Sequence, residues 1–346
     1  MKFPFFTGKR STPEPKGREN LPWPKRNIQN RPEDYEAADD LIDAVNVALV
    51  LGQPLLVTGE PGSGKTQLAY RVAWELGFDE PLKFITKSSS VANDLFYKYD
   101  ALSRLHAVQS YSCIQPGDQP PEKICFDPVA YMTYNALGLA LLRANNEKDV
   151  KSCLPEHFVH GGQRRSVVLI DEIDKAPRDF PNDILNEIEN MAFRIPELGN
   201  VEISAPESMN PVIIITSNSE KHLPDAFLRR CVYYHVEFPE NCLESIAQKR
   251  LAAFPDLQMP HSQYFLSDAI ELFLELRKPT TGLKKRPSTG EFLVWLQSLC
   301  RMSGTDNPII DDSNRLAASL SAMIKSNEDL TISQGVIKEW QPGRIQ

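Results

Sequence analysis

The sequence lacks the features that mark membrane, secreted and repeat proteins. No apolar run approaches the roughly 20 residues of a membrane-spanning helix, and the first ten residues lack the long apolar segment of a signal peptide. The six cysteines show no C-x-x-C spacing, so we expect reduced cytoplasmic thiols rather than a disulfide framework or a zinc site. We find no internal repeat. With 41% hydrophobic and 24% charged residues, the composition is that of a globular protein of one or two domains.

Negative charge predominates, but it is unevenly distributed. The net charge is −8, whereas residues 1–31 contain eight basic and two acidic residues and so carry +6. The rest of the chain therefore carries −14, which argues against a broad nucleic-acid-binding surface. We predict a basic, proline-rich arm over residues 1–33, which is either a solvated extension or a contact for an acidic partner or neighbouring subunit.

A glycine-rich segment lies between a predicted strand and a predicted helix. Residues 59–66 (GEPGSGKT) fit the phosphate-binding pattern G-x-x-x-x-G-K-[ST]. The apolar residues 55–58 predict a buried strand before it, and residues 67–76 carry one apolar helical stripe after it. Main-chain N–H groups in such a turn form a nest for phosphate, aided by the positive end of the following helix. The predicted nucleotide-binding residues are Gly59, Glu60, Pro61, Gly62, Ser63, Gly64, Lys65, Thr66 and Gln67.

A second apolar run ends in two carboxylates. Residues 167–170 (VVLI) predict a buried strand, which Asp171 and Glu172 follow. We predict that Asp171, through water, and the Thr66 hydroxyl hold Mg²⁺, that Lys65 reaches the β- and γ-phosphates, and that Glu172 polarises the attacking water. The alternative is a solvated acidic turn, but the phosphate-binding turn about 105 residues upstream favours the catalytic interpretation.

Two further segments contain candidate catalytic residues. Residues 212–218 (VIIITSN) predict a buried strand that ends in polar residues. The last of them, Asn218, either orients the attacking water or contacts the γ-phosphate, or it simply forms a turn. Arg229 and Arg230 end a short predicted helix, where they either neutralise the helix dipole or act as an arginine finger on a neighbouring subunit's nucleotide.

The order of apolar patterns indicates a doubly wound α/β domain followed by a helical one. We predict strands over residues 55–58, 81–86, 166–170, 212–216 and 233–238. Helical patterns separate them, so we expect a mostly parallel sheet in an αβα sandwich of the P-loop NTPase type. After Pro239 only helices are predicted, over residues 240–254, 267–278, 288–301 and 313–327. We place the domains at residues 1–33 (arm), 34–238 (large domain) and 239–346 (helical lid and tail).

Residues 87–165 are too many for a plain connection between two strands. We predict helices around residues 92–108 and 130–145, with a proline-rich loop around residues 116–121 between them. This insert is either a packing addition to the sheet or a contact surface.

The ordered set of motifs resembles an AAA+ ATPase, and within that class the MoxR group. The resemblance covers about residues 34–302 and is carried by DEIDKA at 171–176, FRIPELG at 193–199 and LPDAFLRR at 223–230. The second of these resembles the hairpin that precedes sensor 1 in that class, and the insert lies where the MoxR group carries its helix-2 insert.

The resemblance implies roles for individual residues. Gly59, Gly64, Lys65 and Thr66 match Walker A, Asp171 and Glu172 match Walker B, and Asn218 matches sensor 1. The family's finger arginine usually precedes an aromatic residue; Cys231 stands there, so Arg230 is our first choice and Arg229 the second. Sensor 2 is assigned to Arg286, although the Lys-Lys-Arg run that contains it could be an ordinary solvated loop.

The resemblance also implies a mode of action. A member of this group would bind ATP and Mg²⁺, assemble into a homo-oligomeric ring such as a hexamer, and remodel or mature a partner protein, often one with a von Willebrand A domain. The alternative is a nucleic-acid-linked AAA+ motor or a restriction-type NTPase, which the acidic body argues against.

Overall fold

The computed structural model describes residues 31–112, 127–219, 223–254, 257, 259–302 and 306–343. The strands are β1 (Leu55–Gly59), β2 (Leu82–Ile85), β3 (Tyr97–Tyr99), β4 (Met132–Tyr134), β5 (Val167–Asp171), β6 (Ala192–Ile195), β7 (Val201–Ser204), β8 (Val212–Thr216) and β9 (Val232–Val236). The α-helices are α1 (Asp39–Leu51), α2 (Lys65–Glu75), α3 (Ala101–Ser112), α4 (Ala136–Ala144), α5 (Glu147–Val150), α6 (Phe180–Asp183), α7 (Leu185–Asn190), α8 (Asp225–Leu228), α9 (Leu243–Ala252), α10 (Phe265–Arg277), α11 (Thr289–Met302), α12 (Ser313–Ser319) and α13 (Asn327–Glu339). Apart from residues 31–33, the predicted arm lies outside the described residues, as does the predicted proline-rich loop.

The five strands predicted from apolar runs form one parallel sheet in the order β2-β5-β8-β1-β9. This confirms the predicted fold class. Strands β1 and β5 are buried along their whole length, because helices cover both faces of the sheet. The strands run the same way, so their last residues meet at one edge, here called the carboxyl edge, and their first residues at the amino edge.

Alternate residues of each strand face opposite helical layers. One face packs against α1 and α2, and its core contains Leu55, Val57, Val167, Leu169 and Ile214. The other face packs against α6, α7 and the insert, including its helix α4, and its core contains Leu56, Val168, Ile170, Ile213 and Ile215. Helices on both faces give the three layers that the sequence predicts.

The insert is less helical than predicted. The prediction of a helix over residues 92–108 is wrong in its middle, because Tyr97–Tyr99 forms strand β3. This strand pairs antiparallel with β4, which replaces the start of the helix predicted from residue 130. Aromatic residues favour strands, and a strand can form only where another supplies its hydrogen bonds. Tyr97 and Met132 are buried in the same core as β5, so this part of the insert packs on the sheet.

The residues after Phe238 form a helical unit with its own core. Phe273, Phe292 and Trp295 are fully buried there, and the rings of the two phenylalanines stack with centroids 4.3 Å apart. The prediction of one helix over residues 313–327 is wrong. Helix α12 ends at Ser319, whose hydroxyl accepts a hydrogen bond from Trp295 Nε1 at 2.8 Å.

Helix α13 was not predicted, although its start carries a capping signal. Ser326 Oγ accepts a hydrogen bond from the Asp329 N–H, which satisfies one of the free donors of the first helical turn. The capping box at the start of α11 is present: the Glu291 carboxylate accepts from the Ser288 N–H at 2.9 Å.

By its internal contacts the chain forms two units. One contains Tyr35–Glu60 and Gly64–Glu237, and the other contains Phe238 and the residues after it, with Pro61–Ser63. Within the described ranges, no helix has both the length and the apolar character needed to cross a membrane.

Gly138 and Gly335 provide a matched test of packing. A Cβ added at Gly138 on α4 would lie 2.0 Å from the carbonyl oxygen of Phe96, whereas one added at Gly335 on α13 meets nothing within 4 Å. We expect Gly138→Ala to destabilise the protein by about 1–3 kcal/mol through overpacking. Gly335→Ala should stabilise it by about 0.5–1 kcal/mol, because alanine loses less entropy in a helix. Urea unfolding of both variants checks this, and equal effects would contradict the close packing of α4.

Candidate functional site

The glycine-rich segment turns the chain sharply at the carboxyl edge. Gly62 and Gly64 have φ angles of +78° and +91°, in the left-handed region that side chains disfavour. Helix α2 begins directly afterwards at Lys65, and its first hydrogen bond runs from the Gln67 N–H to the Gly64 carbonyl at 2.9 Å. The strand, turn and helix therefore follow one another as the sequence predicts, with the free N–H groups of the helix start near the turn.

Lys65 is folded back over its own turn. Its ammonium donates to the carbonyl oxygens of Gly59 and Glu60, both at 2.8 Å. The residue is only 7% exposed, and this burial lowers the pKa of the ammonium, an effect that nearby carboxylates led by Asp174 and Asp171 oppose. A compact cation thus lies directly beside the predicted phosphate site.

Side chains from three other elements bind the carboxylate of Asp171. Its Oδ1 accepts hydrogen bonds from the hydroxyls of Thr66 at 2.9 Å and Thr216 at 2.7 Å. Its Oδ2 pairs with the Lys83 ammonium at 2.6 Å. Burial would raise the pKa of this carboxyl, but the bonds from Lys83, Thr216 and Thr66 outweigh burial and hold the pKa below its usual value.

Thr216 and Lys83 were missed by the sequence analysis. Thr216 ends β8 two positions before Asn218, the one residue chosen from this segment, so its place at a strand end was a usable signal. Lys83 lies within β2 between two partly buried apolar residues, and nothing in the local sequence marks it.

Glu172 lies directly after the strand that ends in Asp171. It has a left-handed φ of +60°, and its N–H donates to Thr216 Oγ1 at 2.9 Å. Its carboxylate pairs with the Lys175 ammonium at 2.5 Å, and both side chains are accessible to solvent. The side chain is therefore held by a bond that is weak in water and easily released.

Asn218 is joined to the acidic turn. Its N–H donates to Asp174 Oδ1 at 3.1 Å, and its side-chain amide lies 3.5 Å from Asp174 Oδ2. The arrangement links the ends of β5 and β8. It places Asn218 at the carboxyl edge, bonded to a residue two positions after Glu172.

Arg229 and Arg230 lie at the amino edge of the sheet, next to the start of β9. The Arg230 guanidinium pairs with Glu189 and donates to the Ala226 carbonyl at 3.1 Å. Arg229 is exposed, and its guanidinium bonds to none of the residues that the structure describes, although its N–H donates to the Asp225 carbonyl at 3.1 Å. Both arginines line a cavity of about 250 Å³, together with Leu51, Pro54, Glu189 and Phe227. The structure therefore does not bring them to the phosphate-binding turn of their own chain.

Arg286 belongs to the helical unit. It is exposed and lies in the loop just before α11. The two residues before it are fixed by Asp329, whose carboxylate accepts from the N–H groups of Lys284 at 2.8 Å and Lys285 at 3.2 Å. The loop that carries Arg286 is thus tied to helix α13.

The residues at the carboxyl edge suit a nucleotide and its metal ion. Ser63 Oγ is shielded from solvent and bonds to no described residue, so a phosphate oxygen would satisfy it. Asp171 and Thr66 would supply the oxygen atoms, directly or through water, that Mg²⁺ prefers when phosphates complete its shell. The donor set therefore fits both groups.

Comparison with known proteins agrees with this geometry. The family model described as AAA, the ATPase family associated with various cellular activities, matches residues 55–240, which is more than half of the chain. RuvB-like 2 of Caenorhabditis elegans is 38% identical over 69 residues, which are 20% of this chain and 15% of that protein. The chain thus matches only a small part of that relative.

Two solved structures resemble the fold at low sequence identity. A closed-state reconstruction of Hsp104 with ATPγS and FITC casein shares 18% identity. The match covers 69% of this chain and 40% of the Hsp104 chain, with a TM-score of 0.37. The FIGL-1 AAA domain in complex with ADP shares 15% identity, the match covers 88% of each chain, and the TM-score is 0.43. These scores mark distant neighbours.

The family match spans the phosphate-binding turn, the Asp171 strand and the arginine pair, all on the five-stranded parallel sheet described above. On that match, the chain belongs to the AAA family of ATPases.

Proposed function

We propose that the chain hydrolyses ATP with Mg²⁺ in a ring of identical subunits and uses the energy to remodel a partner protein, as in the MoxR group. One observation supports this most strongly. Thr66 from the Walker A turn and Thr216 from the strand beside it both bind the same oxygen of Asp171. A buried carboxylate held this way, beside a phosphate-binding turn, is the arrangement that phosphoryl transfer needs.

Binding would change the bonds of the turn. The Lys65 ammonium would leave the carbonyls of Gly59 and Glu60 for the β- and γ-phosphates, whose negative charge it neutralises. Main-chain N–H groups at the start of α2 would hold the remaining phosphate oxygens. Mg²⁺, held by Thr66 and through water by Asp171, would offset charge between these phosphates.

Glu172 is the proposed general base. Its carboxylate would leave Lys175 and accept a proton from the attacking water. Because the ion pair is exposed to solvent, breaking it costs little free energy. Asn218, fixed on Asp174, would orient the same water. These roles follow the sequence pattern and the shared edge of the sheet.

The arginine pair is the proposed finger, and its place in the fold supports action on a neighbouring subunit. Strand β1 has five residues between the amino edge and the turn, a span of roughly 15 Å, which exceeds the reach of an arginine side chain. The Arg230 guanidinium is already bound by Glu189 and Ala226, whereas the Arg229 guanidinium bonds to no described residue. We therefore propose Arg229 as the finger and Arg230 as its brace, a reversal of the order expected from the sequence.

Self-association has further support at the amino edge. Val47, Val50 and Leu51 of α1 are 47%, 85% and 58% exposed, and Leu51 lines the same cavity as the arginines. An apolar surface beside a cation suits a subunit contact in a ring.

The strands β6 and β7 form the hairpin expected before sensor 1, and we propose that it moves during the cycle. Arg286 is proposed as sensor 2, and a von Willebrand A protein as the partner.

Lys65→Ala tests the nucleotide site. Loss of one charged hydrogen-bond donor at the phosphates should weaken ATP binding by ~10- to 100-fold. Titration calorimetry with a non-hydrolysable ATP analogue measures this, and Lys98→Ala, on the exposed side of β3, is the control. Unchanged affinity in Lys65→Ala would remove the Walker A assignment.

Glu172→Gln separates binding from chemistry. Without a proton acceptor, kcat should fall by ~10²- to 10⁴-fold while the affinity for ATP is retained. Phosphate release and calorimetry are measured on the same samples, with Glu207→Gln, in the short 3-10 helix before β8, as the control. Normal turnover in Glu172→Gln would show that another group activates the water.

Mixed assemblies test the arginine pair. Arg229→Ala alone should lower kcat by ~10³- to 10⁵-fold, as for fingers in other NTPases. Mixing it with Glu172→Gln subunits, which still supply the arginine, should restore part of the turnover. Arg230→Ala should have a much smaller effect, matched by Glu189→Gln.

Two outcomes would contradict this assignment. A larger loss in Arg230→Ala, with rescue by the same mixing, would make Arg230 the finger. Absence of rescue for either arginine, with an intact assembly by light scattering, would mean that neither acts between subunits.

A further inference from the structure

Lys83 forms an ion pair with the carboxylate of Asp171. Its ammonium lies 2.6 Å from Asp171 Oδ2, while Oδ1 accepts from Thr66 and Thr216. The Lys83 side chain is 30% exposed and that of Asp171 only 9%. Both oxygens of the carboxylate therefore have partners, and the partner of Oδ2 is a lysine of the chain itself.

The register of the sheet explains how this lysine reaches the carboxylate. Lys83 on β2 lies opposite Leu169 on β5, and Ile85 lies opposite Asp171. Residues two apart share a face, so Lys83 projects on the face of Leu169 and Asp171, where α2 begins. Its flexible four-carbon chain then spans the two positions to the carboxyl edge. The neighbouring Leu82 and Phe84 face the opposite layer.

A packing role does not account for this residue. The neighbouring apolar side chains anchor β2 in the core, and Phe84 stacks on Phe180 with ring centroids 6.2 Å apart. Ion pairs at exposed positions contribute little to stability. The mostly buried carboxylate is different, because an ammonium bound to it competes with any other cation for the same oxygen.

We propose that Lys83 is a positioning residue that holds Asp171 Oδ2 between cycles and that a divalent cation must displace it. The inference rests on the proposed function, since it concerns the metal of that same site. The ammonium satisfies Oδ2 and repels a second positive charge nearby. Metal binding is thereby weakened until bound phosphates add negative charge, so that the ion enters with the nucleotide and leaves with it.

The test measures metal binding and not turnover. Mn²⁺ is titrated into the full chain with saturating ADP, and free Mn²⁺ is followed by electron paramagnetic resonance. Lys83→Met, which keeps the length of the side chain and removes its charge, should bind Mn²⁺ about tenfold more tightly, the lower range for one charged hydrogen bond. Lys83→Arg retains a cation and should remain close to the wild type. Lys87→Met, at an exposed position four residues along, is the matched control and should not change.

Each outcome decides the inference. Tighter Mn²⁺ binding in Lys83→Met, with no change in Lys83→Arg and Lys87→Met, supports displacement. Equal or weaker binding in Lys83→Met would overturn it, the weaker case meaning that Lys83 prepares Asp171 for the metal. ADP affinity in EDTA is measured in parallel. A chain that binds no ADP would overturn the proposed function along with the inference, whereas normal ADP affinity with unchanged Mn²⁺ binding would overturn the inference alone.

Discussion

The structure of the carboxyl edge depends on hydrogen bonds to one buried carboxylate, that of Asp171. Asp171 loses most of its contact with water, and an unpaired charge in that position would be strongly destabilising. Its partners come from three other elements, α2, β8 and β2, which must all be in register for the bonds to form. The same bonds hold its pKa below the usual value, which favours the ionised form that the proposed cation site requires. Fold and site thus depend on the same few contacts.

The length of the strands separates the two groups of proposed site residues. Polar residues that follow strands lie at the carboxyl edge, while the arginine pair precedes a strand and lies at the amino edge. Parallel strands of fixed length keep these groups apart in every conformation that preserves the sheet. The proposed reaction, which uses both groups, would therefore require two copies of the chain, and the apolar end of α1 beside the arginines is the surface proposed for their contact.

Local patterns predicted much of the fold and part of the site. Strands β1, β5 and β8 were predictable because each is an apolar run that is buried along most or all of its length. Asp171 was predictable because it ends such a run, and Thr66 because it completes the phosphate-binding pattern. Strand β3 was not, since it exists only through its pairing with β4, more than 30 residues away. Nor was the break after Ser319, which depends on a hydrogen bond from Trp295. Lys83 and Glu189 meet their partners only in the folded chain, so spacing along the sequence carries no sign of them.

The close approach of Gly138 to the backbone of Phe96 has a mechanical consequence. With no side chain between them, helix α4 and the start of the insert are in main-chain contact, and α4 also packs on β2 and β5. Tight packing of this kind transmits displacement and does not absorb it. A pull on the insert is consequently borne by the strand that ends in Asp171, and the same rigidity lets a small shift at that strand be felt at the outer surface of the molecule.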